Sequence, residues 1–189
     1  MSRRVAALVV AVAALIVLAG VVALWRRGPR PAEGSTGALE SRLAESPRQP
    51  WQATLWLPSE SERLGALGVR VESGAEPTER GRALVTALLS ARPEPPLDAI
   101  FPIPVRLGRL LVIDGTAYVD LRPEQGGEPP STGSRLELLR VYSLVQTLVA
   151  NVPEIRRVVL LWNGSQRAGF PGHVDTSHPL VPRPELVEG

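Results

Sequence analysis

The chain opens on an unbroken apolar run unlike anything after residue 50. "VAALVVAVAALIVLAGVVALW", residues 5–25, carries no charged or strongly polar side chain. At about 1.5 Å per residue, roughly 21 residues of helix span about 31 Å, the thickness of a bilayer core. Arg3 and Arg4 flank one end and Arg26 and Arg27 the other, with Trp25 suited to the interface. The pattern predicts a single transmembrane helix and an anchor over residues 1–27. A cleaved signal peptide has a shorter apolar centre and a small-residue cleavage site, and neither fits this run. "VLAG", residues 17–20, resembles the start of a lipoprotein box, but Val21 stands where the lipidated cysteine would be. The flanking charges nearly balance. The very short N-terminal tail favours a start inside the cell and a domain outside it.

Residues 28–50, "GPRPAEGSTGALESRLAESPRQP", lose all apolar periodicity. This composition predicts a flexible linker, and about 22 such residues have an end-to-end distance of about 25 Å.

Patterned sequence resumes at Trp51. "WQATLWLP", residues 51–58, reads as a strand closed by Pro58, and "LGVRVES", residues 67–73, alternates as a second. "PTERGRALVTALLSAR" has Pro77 at a first helical position and an apolar face of Leu84, Leu88 and Ala91. "RLLVIDGTAYVDL", residues 109–121, is a hairpin around Asp114-Gly115. Its two-residue turn sets Ile113 against Thr116. Leu110, Val112, Ala117, Val119 and Leu121 then share a core face, with Leu111, Tyr118 and a cross-strand Arg109–Asp120 ion pair on the other. A second helix is expected over residues 134–151, with Ser134 and Glu137 as a capping box and Leu138, Val141, Val145, Leu148 and Val152 facing the core. "RRVVLLWNG", residues 156–164, is a strand buried on both faces. Its Asn163-Gly164 turn leads to a short extended segment over 167–170. The Pro-rich end, "PLVPRPELVEG", residues 179–189, is expected to fray, with residues 183–189 as a C-terminal tail. Strand, strand, helix, hairpin, helix, strand, short strand makes an α+β domain over 51–182: a small mixed β-sheet with two helices packed on one face.

Composition narrows the chemistry. All 21 basic residues are arginine, there is no cysteine, and there are two histidines. Thiolate chemistry, disulfides, a P-loop lysine and Schiff-base catalysis are excluded. The net charge of +2 belongs to the N-terminus. Beyond Arg30 the balance is 16 arginines against 19 acids, or −3. With no basic stripe there, nucleic acid is not an expected partner.

Several stretches, "ATLWLP", "VIDGTAYVDL", "VYSLVQTLVANVPEIRRVVLLWNG" and "GHVDTSHPL", together resemble the GerMN domain, the module named after bacterial spore germination and sporulation proteins. The resemblance covers residue 51 to about residue 181. It implies a ring-building-motif-like fold, often placed after a membrane or lipoprotein anchor. It further implies an extracytoplasmic, non-enzymatic role in envelope assemblies. The family brings no catalytic residue to carry over. This chain has one copy of the domain where the best-known members have two.

The candidate site residues are weighed on that background. "GHVDTSHP", residues 172–179, holds both histidines, His173 and His178, with Asp175 and Ser177. A zinc site needs at least three ligands in fixed geometry, and no further His or Cys exists. Neighbouring Ser, His and Asp side chains rarely converge as a triad. Gly172, Pro179, and Asp175 and Ser177 capping backbone amides two residues on, favour a structural turn. Ser143 and Thr147, four apart on the second helix, read as hydroxyls bonded one turn back rather than as active-site groups. Asn163-Gly164-Ser165 fits a glycosylation sequon but reads as a turn. Trp51, Trp56 and Trp162 are expected in the core, and a partly exposed Trp56 would keep glycan binding open. No catalytic, metal or cofactor-binding residue is therefore expected. The function expected is a non-catalytic protein-interaction or assembly module in the bacterial envelope, held by its N-terminal helix and partnered by an envelope protein or a second copy. The alternative is a peptidoglycan- or glycan-binding module.

Overall fold

The computed structural model of the chain describes residues 48–131, 133–170 and 172–189. The expected anchor and nearly all of the linker lie outside the described residues. Among the described residues no helix is long and apolar enough to cross a membrane.

Two strands open the domain, β1 (Gln49–Pro58) and β2 (Leu64–Ser73). They pair antiparallel along their whole length. Helix α1 (Pro77–Ser90) follows, with proline in its first turn as its sequence predicts. The expected hairpin is β3 (Val105–Ile113) and β4 (Thr116–Pro123), with Ile113 opposite Thr116. Asp114 and Gly115 both have positive φ, 50° and 74°, which is the two-residue turn that matches strand twist. Helix α2 spans Ser134–Asn151. It leads to β5 (Arg157–Trp162), which runs parallel to β4. Three short strands complete the order: β6 (Ser165–Gln166), β7 (Gly169–Phe170) and β8 (Val174–Asp175).

The architecture is mixed α+β, as expected, but the strands do not form one sheet. β3-β4-β5-β6 make a four-stranded mixed sheet, whereas β1-β2 and β7-β8 are separate two-stranded ribbons. The alternation of β1 and β2 establishes strands but carries no information about which neighbour each one takes. The reason is visible at β1, whose outer edge is taken by a helix rather than by another strand. The second hairpin also differs from expectation. Asn163 and Gly164 turn β5 directly into β6, and Gly169–Phe170 pairs onward with β8.

Leu110, Ala117, Val119 and Leu121 are fully buried on the inner face of the four-stranded sheet, as the alternation predicts. Leu84, Val85 and Leu88 of α1 and Val141, Val145 and Leu148 of α2 join them in one core. Gly81 is buried, and a Cβ there would lie 3.0 Å from Leu110 Cδ2, so the glycine lets α1 approach the sheet. Trp162 closes the far end, with its ring centroid 5.5 Å from Phe170 and 6.0 Å from Phe101.

The end of the chain is a correction. Residues 179–189 are docked rather than frayed. Leu180 exchanges backbone hydrogen bonds with Val158, a 3₁₀ turn (Pro184–Leu186) buries Leu186, and the Glu188 N–H donates to the Leu64 carbonyl. The Arg183 guanidinium lies 4.9 Å from the centroid of Tyr142. Prolines had suggested fraying, but buried leucines at 180 and 186 give this segment apolar side chains with places in the core.

Candidate functional site

The "GHVDTSHP" segment does not gather its own residues into a site. The two histidines have different neighbours: His178 is exposed with its charge acting on Asp175, whereas His173 meets Glu137. His173 Nδ1 lies 2.6 Å from Glu137 Oε2, while its side chain stays 59 % exposed. Asp175 takes the role expected of it: its Oδ1 accepts from the Ser177 N–H at 2.9 Å and from the Ser177 hydroxyl at 2.6 Å. Those two bonds hold its carboxyl below the ordinary carboxylate range. Among the described residues no group of three or more His, Cys, Asp or Glu side chains could hold a metal ion.

Glu137 was missed as a partner for this segment. It is fully buried near the start of α2. The capping box does not form, because Gly133 is the N-cap and Ser134 already lies inside the helix. Glu137 instead accepts from Ser131 Oγ at 3.3 Å and meets His173. Arg140, one turn on, is also buried. Burial lowers its pKa, opposed by the charges of Glu137 and Asp98. A carboxylate in the first turn of a helix is favoured by the helix dipole. The Glu137–His173 contact thus pins the C-terminal loop to α2. A carboxylate-oriented imidazole is half of a catalytic triad, but the nearby hydroxyls are engaged elsewhere. Ser177 donates to Asp175, and Ser143 donates to the Trp56 carbonyl.

Ser143 and Thr147 are the second correction. They do not bond back within their own helix. With Asn151 they form an i, i+4, i+8 polar stripe on α2 that lies along the outer edge of β1. Thr147 Oγ1 accepts from the Trp56 N–H at 2.9 Å. Asn151 Oδ1 accepts from the Thr54 N–H at 2.9 Å, and its Nδ2 donates to the Thr54 carbonyl at 2.7 Å. Side chains complete the strand's hydrogen bonding where another strand would otherwise do so. The third correction concerns Arg109. It stands opposite Asp120 in register, yet the Asp120 carboxylate pairs with Arg122 at 2.9 Å and accepts the Gly164 N–H at 2.6 Å. A bulge between Leu107 and Arg109 displaces the expected partner, and a Cβ at Gly108 would come within 2.6 Å of Arg122 Nε.

The tryptophans serve the fold. Trp162 is core. Trp51 donates to Ser73 Oγ at 2.9 Å and carries the Arg80 guanidinium 4.6 Å from its ring. Trp56 is half-buried with its indole nitrogen turned inward. Asn163-Gly164-Ser165 is a turn, with φ of 52° and 80° at its first two residues.

What remains open is surface. A groove of about 570 Å³ runs between the end of α1 and the loop before β3, lined by Leu89, Phe101, Ile103 and Leu107 with Arg92 and Arg106 at its rim. The outer edge of β2 is the larger opening. Thr54 and Trp56 face away from β2, so their register partners Gly68 and Ala66 face away from β1, as do Arg70 and Glu72 by alternation. All four are exposed, and among the described residues none of their outward backbone groups has a partner.

Comparison with known proteins follows the fold. A family model described as Germane, sporulation and spore germination, matches residues 54–168. No curated protein matches the chain. Two structures from Bacillus subtilis are similar. The tandem GerMN domains of the sporulation protein GerM superpose with a TM-score of 0.56 at 18% identity, over 70% of this chain and 46% of that one. The first GerMN domain alone gives 0.55 at 18% identity, over 69% and 97%. The chain therefore spans about half the length of the tandem protein. At this identity the likeness shows the fold.

Proposed function

The chain belongs to the Germane family, sporulation and spore germination, and from that premise we propose that it is a membrane-anchored, extracytoplasmic, non-catalytic assembly module of the bacterial cell envelope. Its GerMN-like domain builds contacts with an envelope protein or with further copies of itself. The observation that carries this reading is the contrast between spent and unspent polar groups. Ser143, Thr147 and Asn151 are bonded to the backbone of β1, and the carboxylates of Glu137, Asp120 and Asp175 to neighbouring groups of the fold. The outward backbone groups of Ala66, Gly68, Arg70 and Glu72 meet no described residue, and an exposed edge is a template for an added strand. The apolar run of residues 5–25 supports the anchor, and the linker supplies the reach to find a partner. Trp56 is half-buried, with its indole N–H inward, and its partly exposed ring keeps glycan stacking as the alternative.

The test is a photo-crosslinking amino acid at Arg70 in the full-length chain, in intact cells. A discrete protein adduct is expected, lost on Gly68→Pro. The reading fails if no adduct forms at any β2 position while the protein is retained on purified wall and released by Trp56→Ala.

A further inference from the structure

Among the described residues, the outer face of the four-stranded sheet leaves large apolar side chains exposed, whereas those of its inner face are buried. Register places Leu111, Tyr118 and Val159 in one row across β3, β4 and β5. Leu111 is 37 % exposed, Tyr118 40 % and Ile113 54 %, which makes three of the most exposed large apolar side chains neighbours on one surface. Val159 is buried yet stands apart from the main core. Around this row the charges are one-sided. The strand positions sharing the face carry Arg106, Arg109, Arg122 and Arg157 against one acid, Asp120, which is itself buried and paired with Arg122. Among the described residues Arg106 and Arg109 have no ion-pair partner. The asymmetry is local, because residues 48–189 hold 15 arginines and 16 acids, a net of −1.

We propose that this face docks on an anionic lipid bilayer. Arginines at the rim meet lipid phosphates, and Tyr118, with an apolar ring and a polar tip, suits the headgroup level between Leu111 and Ile113. The occupant is a bilayer because the surface sets cations beside exposed apolar side chains, and its charge complements anionic headgroups. The choice rests on the anchored reading for the presence of a bilayer within the linker's reach, which raises the local concentration of headgroups.

The test uses a fragment starting at Pro47, which keeps every core side chain from Ala53 to Leu186 and none of the apolar run. Anchor and face are thereby read separately. The fragment is expected to float with vesicles that are half phosphatidylglycerol and not with pure phosphatidylcholine, less so as salt rises. With roughly fivefold lost per arginine removed, Arg106→Gln with Arg109→Gln should weaken partition about 25-fold. Ile113→Ser should weaken it further, and Arg48→Gln with Arg82→Gln, the same charge loss elsewhere, should leave it unchanged. Thermal melts of the variants separate loss of binding from loss of fold. The proposal is overturned if anionic vesicles do not retain the fragment at low salt, or if both arginine pairs weaken it equally. It is also overturned if light scattering shows a dimer that Ile113→Asp dissociates, which would make a second copy the occupant.

Discussion

The two edges of the first ribbon differ in one respect that matters. Along β1, Thr54 and Trp56 turn their N–H and C=O groups to α2, where Asn151, Thr147 and Ser143 bind all four. Along β2, the equivalent groups of Ala66, Gly68, Arg70 and Glu72 meet no described residue. An edge strand is a hazard unless it is covered, shortened or charged. β1 is covered. β2 has Arg70 and Glu72, an arrangement that discourages indiscriminate pairing while leaving room at Ala66 and Gly68. A Cβ at Gly68 would touch nothing within 4 Å. Among the described residues the same ribbon is therefore fixed on one side and open on the other, which suits the proposed assembly role.

Proline breaks the comparison most directly. Thr54→Pro removes an N–H that Asn151 accepts and places a ring against α2, for an expected loss of about 3 kcal/mol. Gly68→Pro removes an N–H with no described partner, and the cost should stay below about 1 kcal/mol. Urea unfolding of the two variants measures both. Equal losses would mean that the β2 edge is covered after all. The next largest effect lies where the C-terminus covers the end of β2. Leu186→Ala empties a buried site beside Leu64 and should cost about 2–3 kcal/mol. A loss under about 0.5 kcal/mol, as at an ordinary surface position, would return the tail to the frayed state expected from its prolines.

These regions also mark where the sequence could and could not be read. The β3–β4 hairpin was legible to the residue, because Asp114-Gly115 sets its register within a dozen positions. The core of α2 was legible because its apolar positions repeat at helical spacing. The polar stripe was present in the same helix at Ser143, Thr147 and Asn151, but its meaning lay at Thr54 and Trp56, roughly ninety positions earlier. Two hydroxyls and an amide on an apolar helix look alike whether they cap their own turn or a distant strand. Glu137 was read from its spacing to Ser134, and its partner His173 lies 36 residues away. The open edge of β2 was illegible for a related reason. Alternation reports which side chains are buried and is silent on which edge of a strand lacks a neighbour.

Smaller changes apportion the sealed edge. Asn151→Ala strands both backbone groups of Thr54 and should cost about 2 kcal/mol, while Thr147→Val keeps the shape and strands only the Trp56 N–H, for about 1 kcal/mol. Hydrogen exchange localises the effect. The Thr54 amide should lose protection in the first variant and the Trp56 amide in the second. Uniform loss across the domain would instead assign these residues to general packing of α2.

The smallest effect concerns the one bond that closes the end of β2. Glu188 donates its N–H to the Leu64 carbonyl at 3.0 Å, and its exposed carboxylate accepts from the Ser61 hydroxyl. Ser61 first, and Ser59 after it, hold that carboxyl below its usual range. A depressed folded-state pKa means stabilisation that is fully present above the ordinary carboxylate range and fades as the pH falls through the folded value. Protection of the Glu188 amide, corrected for intrinsic exchange, should therefore decline on acidification, while the amides of β4 keep theirs. In Glu188→Gln the decline should vanish, because the amide side chain does not titrate there. Parallel profiles for the two proteins would show that the tail is held by Leu186 and the backbone alone. The closed end of β2 would then owe nothing to charge, and its contrast with the open stretch from Ala66 to Glu72 would be one of apolar burial.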